Sequence, residues 1–272
     1  LADRGFREDV IGRIATAMLL GQITGTAPAA WLLNRIGLTG GLLVCFAAMA
    51  PVMAWRTLAA DLPGLLGSAF LAGMLFALWL VTIAPLVSSL VEERMRPRAF
   101  SLFFSIGIAM GIVGGLFGAG LAEVLGGVTG RSPQKTGPLL VAAAITAAAL
   151  LPVCRMSRIQ APRISGSRWP RGPFFARFFL AITVWNLATG AFNPFFNLVL
   201  EKHAGFSVTA IGGVFSISQA VQTLTVLAAP WLFRRIGIVG GITATQVAAG
   251  AALVLLARAA GVWSVGLLYV LY

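Results

Sequence analysis

An all-α polytopic membrane protein built from two repeated helical halves is the fold class this chain predicts, on three observations. The first is an internal repeat at a fixed offset of 200 positions. Gly5-Phe6 returns as Gly205-Phe206, Ile11-Gly12 as Ile211-Gly212, and Gln22 as Gln222. Trp31-Leu32, Arg35-Ile36-Gly37 and Gly40-Gly41 return as Trp231-Leu232, Arg235-Ile236-Gly237 and Gly240-Gly241. That period is far too long for a solenoid unit. The second observation is composition: 58% of the 272 residues are hydrophobic and only 10% are charged. With a mean hydropathy of +0.92, a water-soluble domain could not hide this much apolar surface, and the bilayer must act as solvent. The third is that apolar runs of about 20 residues, enough to cross roughly 30 Å of hydrocarbon, recur from end to end. They are too long and too uniform for barrel strands, so helices are expected.

The expected spans, in order, are 11–33, 40–56, 64–90, 99–125, 137–154, 174–200, 208–233 and 239–257, with a further one opening at 262. The repeat maps the first span onto the seventh. Six helices separate them, so both copies cross in the same direction and the halves form a parallel repeat. The chain opens on the polar stretch LADRGFREDV and stops inside an apolar run at Tyr272. It is therefore expected to be an internal fragment.

A formal charge of +12 could point to nucleic acid, but the arginines sit in short loops between apolar runs and read as topology signals. Twelve basic residues fall on one side: Arg35, the 94–98 cluster, the stretch from Arg155 to Arg177, and Arg234-Arg235. The other side holds eight. The richer side, with only Glu92 and Glu93 among the eight carboxylates, is expected to be cytoplasmic. Residues 155–173, with five arginines among Ser, Gly and Pro, form the longest polar break and divide a first half, 1–154, from a second, 174–272. Cys45 and Cys154 lie in or beside apolar runs, where buried thiols are ordinary. His203 has no second ligand at metal spacing, so neither metal nor cofactor is expected.

Together the repeat and the basic linker resemble the major facilitator superfamily, whose members have two six-helix halves in parallel repeat. The family's local signature is Gly-x-x-x-Asp-Arg-x-Gly, followed by two basic residues, after the second helix. Here Arg35 and Gly37 match, Asn34 stands at the acidic position, and Ala30 stands at the first glycine. The second copy keeps Arg235 and Gly237 with Arg234 at the acidic position. This turn reads either as a gating loop (Asn34, Arg35, Gly37, Arg235, Gly237) or as a helix stop with Trp31 and Trp231 as interface anchors. Gly107, Gly111 and Gly115 resemble the family's glycine-rich fifth helix, with Ile112 where antiporters carry proline; close helix packing is the expected role. The resemblance implies two six-helix bundles truncated at both ends, lacking the first helix and the last two to three. It also implies a multi-pass protein of a bacterial-type inner membrane, monomeric and surrounded by lipid.

Polar side chains within a membrane span are costly and face a cavity or a partner. Thr183, Asn186, Thr189, Asn193 and Asn197 fall in one stripe at helical spacing, and Pro194 should break the helix among them. The next helix carries Gln219 and Gln222 on a broad hydroxyl-rich arc, and Gln22 sits at the depth of Gln222 in the first copy. These residues read as a substrate cavity, with interhelical hydrogen bonding as the competing account. Glu123 and Arg13 are the groups left for an ion pair or for coupling to a proton or other ion. Scarcity of buried carboxylates predicts a small neutral or amphipathic organic solute, moved by alternating access. A transporter-like scaffold or sensor is the alternative. A membrane enzyme would need a nucleophile or acid–base pair, which this sequence does not supply.

Overall fold

A computed structural model describes residues 8–129, 136–160, 172–193, 196, 200, 205–206, 208–259 and 261–272, without side chains at 8–9, 115–129, 191 and 208–209. The described residues are helical almost throughout. The helices are α1 (Glu8–Leu58), α2 (Leu62–Leu90), α3 (Arg96–Thr129), α4 (Thr136–Ala148), α5 (Leu150–Cys154), α6 (Pro173–Phe192), α7 (Val208–Leu256) and α8 (Val262–Leu271). Five described segments are long and apolar enough to cross a membrane, two of them 49 and 47 residues long.

A straight helix of 51 residues would run about 76 Å, more than twice the hydrocarbon thickness. α1 avoids this by breaking at one residue, Gly37, with φ 77° and ψ 176°. α7 breaks at Gly237 with φ 75° and ψ 166°. That conformation is essentially closed to any residue with a Cβ. The sequence suggested a loop of several residues between the first two spans. The structure uses a single glycine instead, and uses it at the repeat-related position as well. The second repeated pair has a steric reason. A Cβ on Gly40 would come 3.0 Å from Ile36, and one on Gly41 would strike the Leu33 side chain. A Cβ on Gly241 would likewise strike Phe233. The glycines let the returning helix close against the turn it has just left.

The other boundaries follow local chemistry. Asp61 caps α2 by accepting from the Gly64 amide at 3.0 Å, with Pro63 in the first turn where its missing N–H costs nothing. Pro152 leaves the Ala148 carbonyl without its helical donor, and α4 gives way to α5 at Ala149.

The chain divides into two compact units, Leu1–Glu92 with Gly118–Arg168, and Glu93–Phe117 with Trp169–Tyr272. In the first, α1 and α2 touch backbone to backbone. A Cβ on Gly21 would meet the Phe70 carbonyl, one on Gly25 would lie 2.7 Å from the Met74 Cα, and one on Gly73 would meet the Met18 carbonyl. Ile14, Ala59, Leu65 and Ala69 form a buried cluster beside this crossing. In the second unit, Phe196, Leu200, Phe206, Leu256, Val265 and Tyr269 form the core, with edge-to-face contacts from Phe196 to Phe192 and Tyr269, each at 4.5 Å. Large apolar residues elsewhere face outward, Leu187 at 74% and Trp263 at 92% exposure, as a lipid-facing surface requires. Close packing was expected of Gly107 and Gly111. No described atom lies within 4 Å of a Cβ added at either; among the described residues the tight helix approach is at Gly21, Gly25 and Gly73.

Replacing Gly21 or Gly73 by Ala should force α1 and α2 apart and lower the melting temperature in detergent by several degrees. A loss of about 1–3 kcal/mol is the usual size for overpacking. Gly12→Ala, which meets nothing within 4 Å, should leave the melting temperature unchanged.

Candidate functional site

The repeated turns carry the same local electrostatics. Arg35 lies over the Trp31 ring at 4.2 Å and Arg235 over Trp231 at 4.5 Å, one helical turn apart in each case. Both tryptophans are about half exposed, at 56% and 51%. Such stacking is worth about 0.5–1 kcal/mol at exposed sites and holds the guanidinium beside an amphipathic ring. Asn34 is exposed next to Arg35.

The surroundings of the two turns differ sharply. In the first unit the start of the linker lies across the break. Leu38 N–H donates to the Ile159 carbonyl at 2.8 Å. The Thr39 hydroxyl donates to the Ser157 carbonyl at 2.9 Å and accepts from Ile159 N–H at 3.0 Å. Leu38 and Thr39 are buried, at 1% and 4% exposure, and Gly37 is buried with them. In the second unit the equivalent Ile238 and Val239 are 66% and 67% exposed, and nothing lies within 4 Å of a Cβ on Gly237. Valine has no hydroxyl with which to make the clasp.

The polar residues of the membrane spans divide by chemistry. The hydroxyls are largely satisfied within their own helices. Thr24 donates to the Leu20 carbonyl, Thr26 to Gln22, Ser216 to Gly212, Thr223 to Gln219 and Thr225 to Val221, at 2.7–2.9 Å. The broad hydroxyl arc read from sequence is therefore mostly back-bonding of each side chain to the carbonyl one turn earlier. The amides behave differently. Among the described residues no hydrogen bond engages the side chain of Gln22, Gln219 or Gln222. Gln22, Ile23, Thr26, Ala77, Leu80 and Val81 line an open cleft of about 380 Å³ between α1 and α2. It opens one turn beyond the point where Gly25 meets Met74.

On α6, Asn186 returns one amide proton to the Ile182 carbonyl at 2.8 Å, and Thr189 donates to the Trp185 carbonyl at 3.1 Å. Asn193 is exposed, at the end of the helix, and its Oδ1 accepts from the Tyr272 hydroxyl at 2.9 Å. That partner, 79 positions away at the C-cap of α8, has no local signal in sequence. Asn197 and Pro194 lie outside the described residues, as does the side chain of Glu123. Arg13 is exposed in the first turns of α1. No group of three His, Cys, Asp or Glu side chains that could hold a metal occurs among the described residues.

Helices with single-glycine reversals, lipid-facing apolar surfaces and uncharged amides in the spans define a polytopic membrane protein. Its whole length, residues 1–272, matches the Major Facilitator Superfamily model, and the chain belongs to that superfamily of membrane transporters. Among solved structures it is similar to the crystal structure of a mutant of the nucleoside transporter NupG. The match has a TM-score of 0.67 at 15% identity, over 99% of this chain and 71% of that one. No curated protein matches it in sequence.

Two predictions test the geometry. Thr39→Val should free the linker start, raising the rate of tryptic cleavage after Arg158 about 5- to 30-fold, because losing two hydrogen bonds costs on the order of 1–2 kcal/mol. Thr39→Ser should retain the wild-type rate. A double-mutant cycle on Asn193→Ala and Tyr272→Phe, read by thermal unfolding, should give a coupling near 0.6 kcal/mol, a typical value for an interhelical hydrogen bond in a membrane.

Proposed function

We propose that this chain is the core of a secondary transporter that moves a small neutral or amphipathic organic solute by alternating access. Two parallel-repeat helical halves, 1–154 and 174–272, would move about a shared cavity, with 155–173 as the linker between them. These halves follow the sequence repeat, whereas by contacts residues 93–117 group with 169–272. Each would complete a six-helix bundle in the intact protein, working as a monomer in a bacterial-type inner membrane with the basic linker in the cytoplasm.

The observation that carries this reading is the split between hydroxyls and amides. Hydroxyls bonded to their own helices have no need of a solute. Gln22 and Gln222 occupy the same repeat position, and among the described residues no hydrogen bond engages either amide, as expected of groups kept for a ligand. Asn193, Asn186, Thr189 and Gln219 extend the polar lining on α6 and α7. Nucleosides, named for the structural neighbour, are neutral ring-bearing solutes of the proposed class. No carboxylate sits near the Gln22 cleft, so coupling to a proton or other ion would run through groups elsewhere, with Glu123 and Arg13 as the candidates.

The test uses the intact protein with Cys45 and Cys154 replaced by Ser, of which the first is buried and the second exposed. Asn193→Cys is labelled with a membrane-impermeant thiol reagent from each side in turn. Reaction from both sides is the expected result. Reaction from neither would make the Asn193–Tyr272 pair a purely structural bond and defeat this reading.

A further inference from the structure

The cleft beside Gln22 has a hydrogen-bonding inventory short enough to name what it would hold. A primary amide offers two N–H donors and one carbonyl acceptor side by side, and Gln22 uses none of them among the described residues. The Thr26 hydroxyl has committed its proton to the Gln22 backbone carbonyl at 2.8 Å, so it can only accept. The remaining lining residues, Ile23, Ala77, Leu80 and Val81, are apolar, and no charged side chain lines the cleft. It is an open cleft of about 380 Å³, with Ile23 72% and Leu80 46% exposed along it.

The internal repeat adds a second, independent observation. Residues 22–26 read Gln-Ile-Thr-Gly-Thr, and 222–226 read Gln-Thr-Leu-Thr-Val. Only the glutamine is kept. It is kept although neither copy uses its amide to hold the fold together among the described residues.

We infer that Gln22 recognises a neutral, planar solute through a cis-amide edge. The solute's ring N–H would donate to Oε1 while its adjacent carbonyl accepts from Nε2, and the ring would rest on Leu80 and Val81. A polyol would find too few free partners here, because the nearest hydroxyl is already bonded to its helix. An ion would find no countercharge, and leaving it uncompensated in an apolar cleft is costly. A lactam or imide ring satisfies both ends of the amide and lays one apolar face on Leu80 and Val81. This inference rests on the reading of the cleft as part of the solute path.

The experiment measures equilibrium binding of radiolabelled uracil, which carries such an edge, to the intact protein in lipid nanodiscs. Competitors are unlabelled uracil and 1,3-dimethyluracil, whose ring N–H groups are blocked. Saturable uracil binding is expected, with the dimethyl compound competing about tenfold more weakly or worse. Gln22→Leu should weaken uracil binding by a similar factor at an unchanged melting temperature. Equal competition by the two compounds, unaltered affinity in Gln22→Leu, or no saturable uracil binding would each overturn the assignment. The comparison of competitors uses wild-type protein, so it stands even if the variant misfolds. Two-sided labelling at Asn193→Cys alongside any of those failures would leave transport intact and remove only the solute class. Edge-selective uracil binding without two-sided labelling would uphold the recognition chemistry and remove the transport path.

Discussion

Where α1 passes α2 the two backbones are in contact, with no side chain at Gly21, Gly25 or Gly73 to hold them apart. In water such a crossing would be one contribution among many. In hydrocarbon it carries more, because lipid tails are as apolar as leucine and give helices no hydrophobic reason to associate. Close packing has to supply the attraction. The open cleft lined by Gln22 and Thr26 lies along this same crossing.

The same economy governs the polar groups. A hydroxyl in a membrane span can satisfy itself on the preceding turn of its own helix, and these do so repeatedly. A glutamine amide has too many partners to satisfy in that way. The difference between the hydroxyls and the glutamine amides is therefore one of valency: two donors and an acceptor cannot all be retired locally. Asn186 and Asn193 stand between the extremes, one spending a proton on its own helix and the other receiving one from Tyr272.

Much of the fold was legible in the sequence because membrane helices announce themselves one residue at a time. Apolar length set most of the described spans to within a few residues, whereas the breaks fall at single residues, Gly37 and Gly237, where the sequence suggested short loops. The matched Gly40-Gly41 pair was visible as a repeat but had no stated reason until Leu33 and Ile36 were seen against it. The Gly21-x-x-x-Gly25 spacing was equally visible, yet the longer glycine series in α3 drew the packing expectation. Spacing marks where helices can touch; which one does depends on a neighbour's surface. The Thr39 clasp and the Asn193–Tyr272 bond join residues 118–120 and 79 positions apart. No local pattern encodes such pairs. The candidate amides could be picked out by type and depth, while the sorting of free from committed groups required geometry.

The clasp at Thr39 also alters the mechanics of the tether. By sequence the linker begins at Arg155, but the segment through Ile159 is bonded to the α1 turn. At Gln160 the described chain still lies against that turn, its Cα 3.6 Å from a Cβ added at Gly37. Since an extended chain reaches at most about 3.3–3.6 Å per residue, five clasped residues withhold roughly 17 Å of leash. Thr39 therefore acts as a cleat, its hydroxyl making two of the three hydrogen bonds that hold this stretch to the turn.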